Sequence, residues 1–526
     1  MEYITTTCGT QLTYMPTSIG EGGMKIVFMS PDKNYVVCKY KHPTKVTRQD
    51  RKRVGKIVSA YRQTIFQNAG GHYFKNLMCW PTYIFDNPRD GFGVVCPVYP
   101  SNFFFETGRN EFARSPKPGK EKNGRWFLSL YQRNCLHDSE LGDFASYLRM
   151  ALLLARSVRR LHSAGIVHSD LSHNNVLLDP VKRTICIIDM DTLVVQDMHP
   201  PEIQGTPGYI APEVMETLYA PMSDPNKNLV SQQTEVHSLA VMIYELLMYR
   251  HPLKGPKVHD ASDPKRDEEL MMGKRALFIE HPENPSNRPN KRWAQRYYGS
   301  KKLRKNKKVQ YLPYALPDDT PYTILGPYLA PLIEQAFITG LHNPSKRPSA
   351  REWEKALIRT ADNILPCSNS KCEQKYFIYN LSVKPRCPYC ETIYKYHLPM
   401  LELYYTHKGD KFSSENHRKV LWHGASLFPW HVNRFVNPNE QLKEDQRGPL
   451  AKIFYKRGKW YVRNTGLKGH RVYDANGNEL PQSEIAIGKD FELEQGQQIL
   501  LDPSNRGGRL AIVRFAHSSG SSSESN

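Results

Sequence analysis

Apolar and polar positions change period several times along this chain. Between Thr10 and Tyr40 the apolar residues fall in short runs: Leu12, Ile19, Ile26-Val27-Phe28 and Tyr35-Val36-Val37-Cys38, the last followed by Lys39. Gly20, Gly22 and Gly23 lie between them, which predicts strand, glycine turn, strand. Over 46–67, Val46, Val54, Ile57-Val58, Tyr61 and Ile65 take roughly helical spacing and predict one long helix. Two further strands are predicted around Cys79–Phe85 and Gly93–Tyr99. Apolar positions 141, 144, 148, 152, 155, 158 and 161 then mark an amphipathic helix ending at Ser163-Ala164-Gly165. A strand follows at Thr184–Ile188, a buried helix over Leu239–Leu247, and a last helix of this region after Arg351. From Val420 to Phe515 short strands return: Lys459–Val462, Arg471–Tyr473, Phe491–Leu493 and Ile499–Leu501, with Asn476-Gly477 as a hairpin turn.

Composition bounds this picture. A chain of 526 residues is too long for one core, and two to four domains are expected. Hydrophobic content of 39% with 24% charged residues describes a globular protein and excludes a disordered majority. The net charge of +20 points to acidic partners without choosing among nucleic acid, phosphoprotein and anionic lipid. No apolar run suits a bilayer and Met1-Glu2-Tyr3 does not open a signal peptide, so no membrane association and a cytoplasmic location are expected. The stretch from Arg109 to Gly124, with Pro116 and Pro118, reads as a basic surface insertion. Between Lys291 and Lys308 there are nine basic residues and no acidic one, with Trp293, Tyr297 and Tyr298 interleaved. A solvated loop is the simpler reading of that stretch, and nucleic acid is not the expected partner.

The chemistry centres on His168-Ser169-Asp170-Leu171-Ser172-His173-Asn174-Asn175, between a predicted helix and strand. Asp170 precedes Asn175 by five residues, the spacing of a loop in which Asp orients a hydroxyl and Asn holds a metal ion. Nineteen residues after Asp170 comes Asp189-Met190-Asp191 at the end of an apolar strand. Asp189 reads as a metal ligand, whereas Asp191 reads equally as a supporting acid or a turn residue. Upstream, Ile19-Gly20-Glu21-Gly22-Gly23-Met24-Lys25-Ile26-Val27 has the placement of a phosphate-covering glycine loop, although Lys25 stands where a third glycine is expected. Lys39 ends the next strand 17 residues after Gly22, the place of a phosphate-binding lysine.

Downstream stand Gly205-Thr206-Pro207-Gly208-Tyr209-Ile210-Ala211-Pro212-Glu213, Thr234-Glu235-Val236-His237-Ser238-Leu239-Ala240 and Asn343-Pro344-Ser345-Lys346-Arg347-Pro348. With these in order, residues 10–362 resemble a eukaryotic-type serine/threonine protein kinase, with an upper lobe over about 10–98 and a lower lobe over about 99–362. Trp80-Pro81, Leu171-Ser172 and Phe278-Ile279-Glu280-His281 resemble a bacterial subgroup. Its members are associated with von Willebrand factor A proteins and metal-dependent phosphatases in tellurite-resistance and stress gene clusters. The resemblance implies transfer of the ATP γ-phosphoryl group to protein hydroxyls. Asp170, Asn175 and Lys39 would be the catalytic residues, Asp170 orienting the substrate hydroxyl, and Asn175 and Asp189 would hold Mg2+ (or Mn2+). Lys39 would contact the phosphates, with Ile19, Gly20, Gly22, Gly23 and Val27 around the nucleotide. It also implies a buried Glu213–Arg347 pair.

Three departures stand out. No glutamate occurs between Glu21 and Glu106, so the usual helix partner of the strand lysine is missing. Asp50 falls too early in the helix and Gln63 carries no charge. A nucleotide-binding pseudokinase scaffold is therefore the alternative to an active enzyme. Ser169 and Ser172 replace the arginine and lysine common in that loop.

Beyond Pro366, Cys367-x4-Cys372 and Cys387-x2-Cys390 are two ligand pairs on two turns, which suits a closed tetrahedral zinc site in a ribbon over 363–400. The other six cysteines are scattered in apolar context and read as reduced. Residues 418–517 are expected to form an all-β sandwich whose last strands resemble a forkhead-associated domain, without that family's phosphothreonine-reading Ser and His. The tail 518–526 is expected to be disordered. The fold class expected is thus α+β: a bilobal kinase fold, a zinc ribbon and a β-sandwich.

Overall fold

Alternation along Tyr35–Tyr40 gives this strand two apolar faces, and the computed structural model covers both. Residues 1–516 are described, except 108–114, 129, 196–197, 199, 202–204, 298–315, 380–383, 407–410 and 505–507. Strands β1 (Glu2–Thr5) and β2 (Gln11–Tyr14) form an antiparallel hairpin. Strands β3 (Ser18–Glu21), β4 (Lys25–Met29), β5 (Tyr35–Tyr40), β6 (Tyr83–Asn87) and β7 (Gly91–Pro97) form an antiparallel sheet in the order β3-β4-β5-β7-β6. On its outer face Val37, Phe85 and Val95 pack with Ile4 and Tyr14 of the hairpin. On its inner face Cys38, Phe92 and Val94 pack with Val54. Full burial of each large apolar side chain contributes about 1.5–3 kcal/mol. Gly93 permits this closeness, since a Cβ there would fall 2.3 Å from the Cys38 carbonyl oxygen.

Val54 belongs to the helix predicted over 46–67. It runs as α-helix over Arg48–Lys56, widens to a π-turn at Ile57–Tyr61, and resumes over Arg62–Gln67. Thr47 and Asp50 close its N-terminus as a reciprocal capping box. Trp80 donates its indole N–H to the Ile57 carbonyl at 2.9 Å, anchoring the π-turn.

The lower lobe is built on two buried helices, Phe144–Ser163 and Gln232–Met248, capped by Asp143 and Ser231 respectively. Between them lie two short hairpin-like ladders: β8 (Ile166–Val167) with β11 (Val194–Val195), and β9 (Val176–Asp179) with β10 (Thr184–Ile187). Residues 168–175 therefore bridge β8 to β9, and 188–193 bridge β10 to β11. Residues 109–114 of the predicted insertion, 298–308 of the basic stretch and the tail 518–526 lie outside the described residues. Lys291–Tyr297 is a short helix in which Trp293 and Tyr297 stack at 4.6 Å.

The chain divides into two compact units, the first holding both lobes and the second gathering Thr323–Leu329 with the chain from Lys355 onward. In the second unit, β12 (Ile364–Pro366) pairs with β13 (Tyr376–Ile378) beside the cysteine cluster. Among the described residues nine strands follow: β14 (Pro399–Thr406), β15 (Phe412–Val420), β16 (Ser426–Leu427), β17 (Ala451–Lys456), β18 (Lys459–Asn464), β19 (Arg471–Tyr473), β20 (Asp490–Glu492), β21 (Gln498–Asp502) and β22 (Arg509–Phe515). They make two sheets, ordered β15-β14-β22-β21-β19 and β16-β17-β18-β20. These strands begin at Pro399, ahead of the start at 418 read from the sequence, because β14 pairs with both β15 and β22. One core runs from Leu365, Cys372, Phe377 and Cys387 through Leu401 and Trp460 to Val513, so 363–400 and 418–517 do not have separate cores. Among the described residues no helix is long and apolar enough to cross a membrane.

Candidate active site

The loop 168–175 is fixed by hydrogen bonds to the segments on either side of it. His168 accepts the Asp170 N–H on Nδ1 at 3.1 Å and donates from Nε2 to the Ile188 carbonyl at 3.0 Å, which sets its tautomer. Its own N–H is bound by Glu235 at 3.1 Å, and the same buried carboxylate accepts from His162 Nε2 at 2.6 Å. One Asp170 oxygen accepts the Thr206 N–H at 2.7 Å and the Thr206 hydroxyl at 2.8 Å. The other accepts Asn175 Nδ2 at 2.9 Å, and that amide also donates to the Asp170 carbonyl at 2.8 Å. Ser172, fully buried, lies 3.0 Å from the Thr206 hydroxyl.

The turn after β10 carries the second acidic group. Asp189 adopts φ 62°, a left-handed conformation that Asp tolerates better than most residues. A short helical turn, Met190–Thr192, follows, with Met190 buried and the Thr192 hydroxyl donating to the Asp189 carbonyl at 2.9 Å. Asp191 is 2% exposed. Lys25 Nζ donates to Asp191 Oδ1 at 2.8 Å and to Asp189 Oδ1, while the Tyr40 hydroxyl donates to Asp191 Oδ2 at 2.7 Å. Burial opposes both charges, yet pairing dominates. The Asp191 carboxyl is held below its ordinary range by Lys25 and Tyr40, and the Lys25 ammonium is held well above its own by the two aspartates.

Lys39 lies elsewhere. The two-residue period of β5 puts Val36, Cys38 and Tyr40 on the inner face and Lys39 with Val37 on the outer one. There its ammonium donates to the Tyr14 hydroxyl at 2.6 Å and lies 4.6 Å from that ring's centroid. The expectation that Lys39 meets the phosphates is thus corrected, and the hairpin β1–β2, which supplies Tyr14, is the reason. Asp50 is occupied by its capping box and by Arg53 at 2.7 Å.

Gly20, Gly22 and Gly23 sit where β3 turns into β4, Ile19 is 56% exposed, and Val27 packs toward the inner face. Arg347 and Glu213 form a two-pronged ion pair at 2.7 Å on each prong, with Arg347 also donating to three carbonyls. Sequence reasoning missed Lys25, Tyr40 and Thr206. A signal existed for Lys25: it shares its strand face with Val27, two residues on.

The donor sets can be weighed against the groups they would hold. Asn175 Oδ1 and Asp189 Oδ2 receive no protein hydrogen bond among the described residues, and such oxygens suit a hard cation. The four Sγ atoms of Cys367, Cys372, Cys387 and Cys390 lie within 4.8 Å of one another, with Cys367–Cys390 at 3.5 Å and Cys372–Cys387 at 3.8 Å. Tetrahedral bonds of about 2.3 Å place sulfurs about 3.8 Å apart, so zinc fits this cluster.

A strand-rich upper lobe and a helical lower lobe, with the Asp170–Asn175 loop beside the turn that carries Asp189, fit an α+β kinase fold. Comparison with known proteins agrees: residues 129–355 match the protein kinase domain family. A probable serine/threonine-protein kinase of Dictyostelium discoideum is 34% identical over 143 residues, covering 26% of this chain and 10% of that protein. Serine/threonine-protein kinase PknD of Chlamydia felis is 25% identical over 166 residues, covering 27% of this chain and 16% of PknD. MAP kinase-interacting serine/threonine-protein kinase 2 of Xenopus laevis is 30% identical over 166 residues, covering 28% and 33% respectively. This chain thus spans between 10% and 33% of the length of these relatives. The family match begins in the lower lobe, and Lys25 and Lys39 lie outside it.

Proposed function

We propose that this chain is an active serine/threonine protein kinase that transfers the ATP γ-phosphoryl group to protein hydroxyls. One observation carries the reading: Asp170 is clamped between Thr206 and Asn175 while Asp189 sits ready at the end of β10. Asp170 would orient the substrate hydroxyl and take up its proton. Asn175 and Asp189 would hold Mg2+ (or Mn2+) through their available oxygens, and Gly20, Gly22 and Gly23 would cover the phosphates between Ile19 and Val27. Bound magnesium supplies charge neutralisation on the phosphates. Catalysis then rests on positioning and electrostatics, with no covalent enzyme intermediate.

In the second unit, Cys367, Cys372, Cys387 and Cys390 would hold a structural zinc ion. The sandwich is read as forkhead-associated-like, a platform for docking partners. The bacterial subgroup resemblance supports a von Willebrand factor A protein and a metal-dependent phosphatase as such partners, and a cytoplasmic setting.

Transfer of radiolabel from ATP to a general protein substrate tests this reading. Wild type should label it and Asp170→Ala should lose at least 99% of the signal. No label from either protein, with ATP still bound, would leave the pseudokinase scaffold standing instead.

A further inference from the structure

A kinase lysine buried beside phosphates needs a carboxylate that keeps its ammonium charged and aimed. Here the helix that packs on the upper sheet offers none: no glutamate occurs between Glu21 and Glu106, and Asp50 is committed to its own helix. The inner face of β5 presents Cys38 where a lysine would be sought, and Lys39 is turned to Tyr14.

The cleft nevertheless contains a half-buried lysine. Lys25 opens β4, directly opposite Tyr40 of β5, and its carbonyl accepts the Gly22 N–H at 2.9 Å. It therefore stands at the base of the glycine turn. Its Nζ reaches both acids of the turn after β10. The two acids have different surroundings. Asp189 is about one-third exposed and keeps one oxygen open, as a metal ligand requires. Asp191 is enclosed, and both its oxygens are used, one by Lys25 and one by Tyr40. An Asp189 engaged with magnesium would leave Lys25 with Asp191 as its protein counter-charge.

We infer that Lys25 is the phosphate-contacting lysine of this kinase and that Asp191, held by Tyr40, is the residue that positions it. The inference rests on the kinase reading above. It relocates a pair normally shared between a strand and a helix into β4 and the turn that also carries the metal-binding Asp189. The helix is thereby freed from carrying a catalytic charge. Lys39 becomes a scaffold residue of the outer face.

Affinity labelling of the wild-type full chain tests the lysine without any mutation. An acyl-phosphate derivative of ATP transfers its acyl group to a lysine Nζ near the phosphates: an amide forms, the acyl–phosphate bond breaks, and the nucleotide leaves with a proton released to solvent. Mass spectrometry should find the label on Lys25, suppressed at least tenfold by excess MgATP. Label on Lys39 with Lys25 unmodified, or no nucleotide-protected lysine, would overturn the assignment. Binding of MgADP and of adenosine by calorimetry gives the second readout. Lys25→Met should weaken MgADP at least tenfold and leave adenosine within twofold, while Lys39→Met should change neither. Equal loss of both ligands in Lys25→Met would overturn it.

For Asp191, Asp191→Asn should raise the ATP KM at least fivefold and weaken MgADP similarly, with Asp191→Glu recovering part of the loss. A fall in thermal stability with MgADP affinity unchanged would make Asp191 merely structural and overturn its positioning role. The kinase reading is tested apart from this: a chain whose Lys25 is labelled and protected but which transfers no phosphate fails as an enzyme while keeping the assignment of Lys25.

Discussion

Thr206 donates both its backbone N–H and its hydroxyl to the same oxygen of Asp170, at 2.7 and 2.8 Å. The carboxylate is thereby held from the side of the loop that follows the Met190–Thr192 turn, while Asn175 holds it from within its own loop. Removing the hydroxyl takes away one hydrogen bond to a charged group, worth about 1.5–3 kcal/mol, or roughly a tenfold to hundredfold effect. Thr206→Ala should therefore lower kcat by that range with MgADP affinity unchanged, and Thr206→Ser should recover most of it. Steady-state phosphoryl transfer and nucleotide titration measure the two quantities separately.

In the Glu213–Arg347 pair the arginine side chain is enclosed, 1% exposed, while the glutamate is half-buried. Breaking it by Glu213→Ala leaves a desolvated guanidinium, a change that costs about 3–5 kcal/mol. Urea unfolding monitored on the first unit should show a midpoint shift of that size, and any loss of transfer activity should follow the loss of folded protein.

Cys372 and Cys387 belong at once to the four-cysteine cluster and to the core that continues under the two C-terminal sheets. One zinc ion per chain is expected by elemental analysis. Stripping it with a strong chelator should lower the melting temperature of the whole second unit, strands β14 to β22 included, because burial of those thiol side chains is continuous with the sandwich. A chelator effect confined to proteolysis at 367–390 would contradict a shared core.

Two buried histidines make stability depend on pH. His431 donates from Nε2 to Asp362 at 2.9 Å and accepts the Phe428 N–H on Nδ1 at 3.0 Å. His251 donates to the Gly208 carbonyl at 2.8 Å and accepts the Leu253 N–H at 3.1 Å. Both are locked in the neutral tautomer, and burial pushes His431 down to about 4 and His251 to about 3. The unfolded chain, with histidines near 6.5, binds more protons, so the stabilisation is complete above about pH 6.5 and is lost as pH falls toward those values. Each contributes on the order of 3 kcal/mol. Urea unfolding at pH 7 and pH 5 should show the decline, and His431→Gln should flatten it for the second unit.

The placement of the lower-lobe loops was legible because it is local in sequence: Asp170 and Asn175 lie on one loop and Asp189 in the turn after one hairpin. The helix around 144–163 was equally plain, since Asp143 caps it and its apolar positions keep one period. The upper lobe misled for a different reason. A strand of alternating period shows that Cys38 and Lys39 face opposite ways, without telling which face is the cleft. That was decided by residues 2–14, whose hairpin covers one side of the sheet. The β14 strand escaped notice because Glu402 is the one charged residue in its run, Pro399–Thr406, which leaves the alternation of Leu401 and Leu403 about it short.

That hairpin has a consequence for how the upper lobe assembles. The Thr5 N–H binds Asp90 and the Thr5 carbonyl binds Asn87, contacts that span 85 and 82 residues of chain. Closing so long a loop costs entropy before any contact is gained, so these pairings are expected to form after the sheet itself. Ile4→Ala should consequently speed unfolding while leaving the folding rate nearly unchanged, which stopped-flow chevrons will show. On this view the segment that takes Lys39 out of the cleft is also the last clasp of the lobe, and its release is the first step of its undoing.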